Sequence, residues 1–306
     1  MRRSELLISQ SRRATENLTY SDTTGISDEE FLRYLNDAQQ RVLRSVVKVF
    51  PNILENTLTV SVAALSESAP KPADGFFGSR VAFVEWSHDG QEKNYYQLKR
   101  GALSEKFHGE ATFPVYYIPI GSNIFLNPRP QSGGSMRVTY QKGPPSLDKR
   151  RGTVSALTPK LTLDTTTLLT EDIAAMLAEE YICVVDKDGL IKVDGLPITA
   201  IDSSTGQITT SDGTFVPSAA CAVGDYVVAG KYATTHCQLP DACEPYLVAH
   251  TDWKVLKRDS SQDSQEQESE LASMLAEIVD VFKQNDQDTQ LIPVISTEFL
   301  GGDYWI

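Results

Sequence analysis

The sequence predicts an α+β protein: a helical bundle core of N-terminal helices plus a C-terminal helical hairpin, a β-rich region, an inserted small β-barrel or sandwich, and an extended C-terminal tail. Three observations carry this. Long apolar stripes at helical spacing lie toward the two ends of the chain. Between them, short period-two runs alternate with glycine turns. After the last stripe, proline and glycine break up an aromatic stretch. The boundaries drawn on this pattern are 1–56 and 236–290 for the helical core, 57–150 for the β-rich region, 151–235 for the inserted β domain and 291–306 for the tail.

Residues 4–18 are polar with a small apolar cluster and suit a short helix that needs a packing partner. The next helix announces itself. Ser27 and Glu30 form a capping box, and Ile26 and Phe31 are placed as a hydrophobic staple. From Asp28 the stripe runs Phe31, Leu35, Ala38, Val42, Val46 and Val49, and Pro51 closes a helix of about six turns. Residues 57–62 then alternate Thr-Leu-Thr-Val-Ser-Val, as a half-buried strand does. Further strands are expected at 81–86, 94–98, 113–118, 122–126 and 136–140, with His88-Asp89-Gly90 as a turn. Gly143-Pro144-Pro145 ends this region, and Lys149, Arg150 and Arg151 read as an exposed charged joint.

The insert shows one short helix at 171–180 and strands at 181–185, 190–193, 198–201, 207–210 and 226–228. Its turns fall at Asp188-Gly189, Asp194-Gly195, Thr205-Gly206 and Asp212-Gly213. Beyond Pro240, one helical pattern opens at Asp241 with Tyr246, Ala249, Trp253 and Leu256 as its stripe. A second carries Leu271, Met274, Leu275, Ile278, Val281 and Phe282. Between them, residues 259–270 are almost wholly polar and suit a solvated elbow, and Asn285-Asp286-Gln287-Asp288 is expected to stop the second helix.

Composition narrows the function classes. The 306 residues suit two or three compact units, and 41% hydrophobic with 23% charged residues excludes wholesale disorder. A net charge of -13 argues against a surface that grips nucleic acid or anionic lipid, although DNA passing without adhering is compatible with it. No apolar run is long enough to cross a bilayer. Met1-Arg2-Arg3 followed by only Leu6-Leu7-Ile8 is too short for a signal peptide. Cys183, Cys221, Cys237 and Cys243 show no framework spacing, so reduced thiols are expected.

Several stretches approach known chemistry and miss it. His236, Cys237, Cys243 and His250 are zinc-type ligands without zinc-type spacing. Residues 224–231 read GDYVVAGK, with one residue too many for a phosphate loop and Tyr232 where a Ser or Thr would hold magnesium; a strand and turn fit better. Asp186-Lys187-Asp188-Gly189 lacks the closing Glu of a calcium loop and suits a hairpin turn. No hydrolase motif is present, and no catalytic residue, metal or cofactor is assigned. Lys149, Arg150 and Arg151 remain as a possible charged contact loop, though such triplets are commonly just solvated. Phe299, Leu300, Tyr304, Trp305 and Ile306 are five large apolar side chains where termini are ordinarily polar, and they read as anchors for a partner.

One family resemblance is carried by Ser27-Asp28-Glu29-Glu30-Phe31-Leu32-Arg33-Tyr34-Leu35-Asn36-Asp37-Ala38, by Ile120-Gly121-Ser122-Asn123-Ile124-Phe125-Leu126-Asn127-Pro128, and by Gln238-Leu239-Pro240. The last of these runs on to Tyr246-Leu247 and to Lys257-Arg258-Asp259-Ser260-Ser261. This layout resembles the head-to-tail connector proteins, or adaptors, of tailed bacteriophages. The resemblance implies a homo-oligomeric ring, usually dodecameric, beneath the portal protein in the neck of the virion and assembled in the host cytoplasm. Such a ring joins the portal to tail or nozzle proteins and lines a channel through which DNA passes without sequence-specific binding; no membrane is involved. It also implies a portal-docking role for Phe299, Leu300, Tyr304, Trp305 and Ile306. Helix packing or ring contacts are expected at Phe31, Leu35, Val42, Trp253, Leu271, Leu275, Ile278 and Phe282. Residues 153–232 form a larger insert than the simplest adaptors need. The alternative is a carbohydrate- or peptide-binding module built on that insert, which would call for exposed aromatic side chains; the insert has no Trp and only Tyr181, Tyr226 and Tyr232.

Overall fold

The computed structural model describes residues 3–14, 26–50, 55–72, 81–102, 109–158, 160–211, 221–258 and 264–290, with side chains of the last helix described over 267–283. The architecture is mixed α+β, with five α-helices and 18 strands among the described residues. The chain divides into two units, Pro51–Gly143 and the combination of Met1–Phe50 with Pro144–Ile306. Of the elbow expected at 259–270, residues 259–263 lie outside the described residues and 264–270 are helical. The turn at Asp212-Gly213 and the tail at 291–306 also lie outside the described residues.

The Pro51–Gly143 unit is all β. Its strands are β1 (Glu55–Val62), β2 (Ser68–Pro70), β3 (Val81–Ser87), β4 (Tyr96–Gln97), β5 (Lys99–Arg100), β6 (Glu110–Ala111), β7 (Tyr116–Ile120), β8 (Asn123–Asn127), β9 (Arg129–Pro130) and β10 (Gly134–Gln141). Two four-stranded sheets form, in the orders β1-β10-β3-β4 and β2-β8-β7-β5. Val84, Trp86, Met136 and Val138 from the first sheet share one core with Tyr117, Ile124 and Leu126 from the second, which makes the unit a sandwich. Turn chemistry is local: Asp89 accepts from Ser87 Oγ and from Gln91 N–H, and Gly90 takes φ +71°. One expectation is corrected. β1 pairs with β10 along all eight residues, yet only Val62 is buried and Val60 half-buried. Alternation predicts two unlike faces, but β1 is an edge strand and the core ends before it reaches Leu58.

In the second unit the strands are β11 (Ser146–Leu147), β12 (Gly152–Ala156), β13 (Thr162–Leu163), β14 (Tyr181–Val185), β15 (Ile191–Ile201), β16 (Ile208–Thr210), β17 (Tyr226–Ala229) and β18 (Ala233–Thr234). Six of them make one sheet in the order β13-β12-β17-β14-β15-β16. Its ends nearly close into a barrel: Leu163 N–H donates to the Gly206 carbonyl and Ile208 N–H to the Leu161 carbonyl, both at 2.9 Å. Val154, Leu161, Leu163, Ile182, Val184 and Val227 fill it, together with Met176.

Gly206 sits at the closure with φ +70°, and a Cβ there would stand 2.2 Å from the Leu163 carbonyl oxygen. Gly206→Val is therefore expected to cost at least about 2 kcal/mol, read as a lower urea midpoint at unchanged slope. Gly224→Ala, where φ is +94° but nothing lies within 4 Å, should cost only the backbone contribution of about 1 kcal/mol.

The helices of this unit are α1 (Ser4–Ala14), α2 (Asp28–Val46), α3 (Thr170–Glu179), α4 (Glu244–Arg258) and α5 (Ser264–Gln290). Met176 belongs to α3, which packs on β14, β15 and β17. α3 ends where Glu180 turns left-handed at φ +59°. The α2 start follows the sequence closely: Ser27 Oγ accepts the Glu30 N–H at 3.2 Å, and Ile26 and Phe31 are buried together. α2 is shorter than expected, because Pro51 restricts the residue before it and the chain unwinds into a turn after Val46. α5 is longer than expected at both ends. Glu and Gln are good helix formers and need no burial, so the polar stretch from 264 does not break it. Asn285, Asp286 and Asp288 are weaker formers, but extending an existing helix costs far less than nucleating one.

Candidate interaction surfaces

Both α2 and α5 pack on α4 and on each other, and α1 packs on α2 and α4. Phe31, Leu35 and Val42 have no exposed surface, so they serve packing inside the subunit. Trp253, Leu271, Ile278 and Phe282 are buried, with the Phe282 ring 6.0 Å from that of Phe50. Leu275 is half-buried. It lines a groove between α2 and α5 with Arg41, Ser45, Ala272 and Val279. Across α5, a second groove is lined by Gln10, Val248, Asp252 and Leu271. Phe299, Leu300, Tyr304, Trp305 and Ile306 lie outside the described residues.

The charged triplet is corrected in part. Arg151 is only 3% exposed in its side chain and is surrounded by carboxylates. Its guanidinium grips Glu29 of α2 in bidentate fashion at 2.6 and 2.7 Å, meets Asp148 at 2.6–3.1 Å, and reaches Asp172 of α3 at 3.4 Å. Asp148 also accepts the Ala229 N–H of β17 at 2.7 Å. Lys149 lies 3.6 Å from Asp172 and 3.9 Å from Glu29. Arg150, the most exposed of the three, sits 5.3 Å over the Tyr226 ring and 4.0 Å from Glu5. The joint therefore ties α2 and α3 to the barrel through buried Arg151 and half-buried Lys149, while Arg150, the one of the three that is exposed to solvent, reaches α1 at Glu5. Burial pushes the Asp148 and Asp172 carboxyls up, with Arg151 opposing; for Arg151, burial is outweighed by its bonds to Glu29 and Asp148, which hold the proton firmly. Asp148 stands three residues from Arg151, a spacing the sequence displays. Glu29 does not, being 122 positions away.

The chemically active residue types are occupied elsewhere. Burial pushes the Cys183 and Cys237 thiols up to about 11 and Cys243 up to about 12, far from the thiolate form that reacts or binds metal. His236 is hydrogen-bonded to Thr235 at 2.9 Å. His250 lies between the rings of Tyr246 and Trp253. Among the described residues, no group of three or more His, Cys, Asp or Glu is placed to hold a metal ion, and no helix is long and apolar enough to cross a membrane. Of the insert's tyrosines, Tyr226 is buried beneath Arg3 and Arg150, and Tyr181 carries Lys231 over its ring at 5.5 Å. A sugar platform of stacked, open rings is not formed by these two.

Sequence reasoning missed a surface on the Pro51–Gly143 sandwich. Tyr96 and Phe113 form an exposed edge-to-face pair with centroids 6.4 Å apart, flanked by His88 and Val115. At the other edge, Leu58 and Leu65 are exposed. The available signal was the aromatic and basic run Tyr95-Tyr96-Gln97-Leu98-Lys99-Arg100.

Among protein families, the one described as SU10 adaptor protein matches residues 1–188, more than half of the 306 residues. The chain belongs to that family of phage head-to-tail adaptors. The match covers α1, α2, the whole sandwich and the barrel as far as β14. No curated protein matches the sequence.

Proposed function

We propose that this protein is a non-enzymatic structural adaptor of the virion neck, forming a ring beneath the portal that joins it to tail or nozzle proteins and lines the DNA channel. The observation that carries the reading is the family match over residues 1–188. The net charge of -13 supports it, because a wall of like charge lets a duplex slide without adhering. In this reading the C-terminal helices α4 and α5 act as a hairpin on the N-terminal helices, and the two grooves beside α5 accept neighbouring helices. Phe299, Leu300, Tyr304, Trp305 and Ile306 anchor the chain to the portal as a short aromatic segment, the kind of side chain that concentrates binding energy.

The test is mass measurement of the full chain with and without purified portal, beside a chain truncated after Glu298. The full chain is expected to join portal as a multi-copy assembly, and truncation to weaken that association at least tenfold, equivalent to about 1.4 kcal/mol. No association of the full chain would overturn the adaptor reading. Equal binding by both chains would overturn the docking role of the aromatic segment alone.

A further inference from the structure

We infer that neighbouring copies of this chain meet through opposite edges of the Pro51–Gly143 sandwich, the β1–β2 edge of one subunit docking on the β4–β5 edge of the next; this rests on the ring reading above and assigns it a surface. The topology defines the two edges. In one sheet β1 and β4 are the outermost strands, and in the other β2 and β5 are. β1 to β4 spans three strand spacings, about 14 Å.

The first edge lacks the protection that lone edge strands carry. β1 is eight residues long, pairs with β10 in unbroken register, and contains no Lys, Arg or Pro. Asn56 Oδ1 accepts the Thr57 N–H at 2.9 Å, so the first N–H of the outer ladder is capped by a side chain, not a strand. Leu58 is 39% exposed and Leu65, in the turn after β1, 51% exposed. Leu65 also holds φ +60°, a backbone state that costs a leucine free energy, and is pinned there by its N–H donating to the Pro130 carbonyl at 2.8 Å. A strained, solvent-facing leucine implies a use for the side chain it presents.

The opposite edge is complementary in kind. Tyr96 of β4 is exposed, and with Phe113 and Val115 it forms an apolar patch. Lys99 and Arg100 of β5 and the nearby Lys93 are exposed cations, whereas Glu92 is engaged by Arg137 at 2.7 Å. The exposed charge on β1 itself is Glu55. Like edges brought together would set aliphatic on aliphatic or cation against cation. Unlike edges join leucines to aromatic rings and a carboxylate to cations. That contact is heterologous, with one patch meeting a different patch next door, which is the kind that closes a ring. The occupant is therefore a second copy of this chain.

The experiment uses the full chain carrying Leu58→Cys and Phe113→Cys together, assembled on purified portal and treated with a short bismaleimide. A ladder of covalent multimers is expected from the double variant. Cys221, the one native cysteine that is not buried, is removed throughout by Cys221→Ser. The parent chain and either single variant should then give no ladder, since the other three native cysteines are buried. Microscopy of the same sample separates the failures. Rings without a ladder would overturn this contact and leave the ring standing. Absence of rings from wild type as well as variant would overturn both. Rings from wild type but none from the variant would support the contact, provided the variant's urea midpoint without portal equals that of wild type. A lowered midpoint would overturn the premise that these exposed side chains serve a neighbour and not the subunit's own fold.

Discussion

Replacing Arg151 by methionine is expected to lower the unfolding free energy by about 3–5 kcal/mol, the range for removing one partner of a buried ion pair. Methionine fills the volume, so little of the loss is packing. What remains is Asp148 and Asp172, both buried. Asp148 keeps only its Ala229 N–H among the bonds described above, and Asp172 keeps Lys149 at 3.6 Å, so the larger part of the loss falls on Asp148. The pH dependence identifies the cause. Burial already holds both carboxyls above the ordinary aspartate value, with Arg151 pulling Asp148 back and Lys149 together with Arg151 pulling Asp172 back. Without Arg151 they rise further, so the folded state binds more protons than the unfolded one above the ordinary value, and stability recovers as pH falls. The defect in Arg151→Met should thus shrink toward pH 4, and Asp148→Asn in the same chain should restore part of it at pH 7. A urea midpoint for Arg151→Met close to wild type at pH 7 would show that the network is screened by water.

The local parts of this structure were readable from sequence, and the parts that depend on distant partners were not. The α2 start is written in four consecutive kinds of signal, a staple, a cap, an acidic first turn and a stripe, and each acts within a few residues. The glycine turns of the barrel are equally local at Gly189 and Gly206, which both take positive φ. The turn expected at Asp194-Gly195 is not formed: β15 runs unbroken from Ile191 to Ile201, and Gly195 takes its positive φ inside that strand, where the pairing with β14 shifts register. Burial is another matter. The alternation in β1 is real, but whether a strand's apolar face is covered depends on what lies over it, and the sandwich core stops short of Leu58. Arg151 looked like a solvated charge because three adjacent cations ordinarily are. Its burial follows from Glu29 and Asp172 arriving from two helices. At α5 the polar flanks lack an apolar period and yet are helical, because extending a helix whose middle is already packed needs no stripe. The edges of the sandwich were invisible for the same reason as Arg151, since strand order, not strand pattern, decides which residues are outermost.

Acidification should reach the helical core through His250. The imidazole is buried between Tyr246 and Trp253, and Nδ1 has no hydrogen-bond partner among the described residues. Burial, with Arg41 and Lys254 adding and Asp37 opposing, brings its pKa down to about 4. Arg41 comes from α2 and Lys254 from α4, so a proton on the ring would sit between two cations on facing helices. The folded pKa is below the unfolded one, which means the unfolded chain takes up the proton first. His250 therefore contributes its full stability above the ordinary histidine value near 6.5 and loses it as pH falls toward 4, about 3 kcal/mol in all. Carboxylates titrating in the same window act on wild type and variant alike, so the comparison isolates the imidazole. His250→Leu, apolar and of similar size, should show a drop in unfolding free energy between pH 7 and pH 4 that is smaller than wild type's by about 3 kcal/mol. Parallel pH profiles for the two proteins would mean that the imidazole is hydrated and titrates normally, and that the α2–α4 contact is wet where the structure packs it dry.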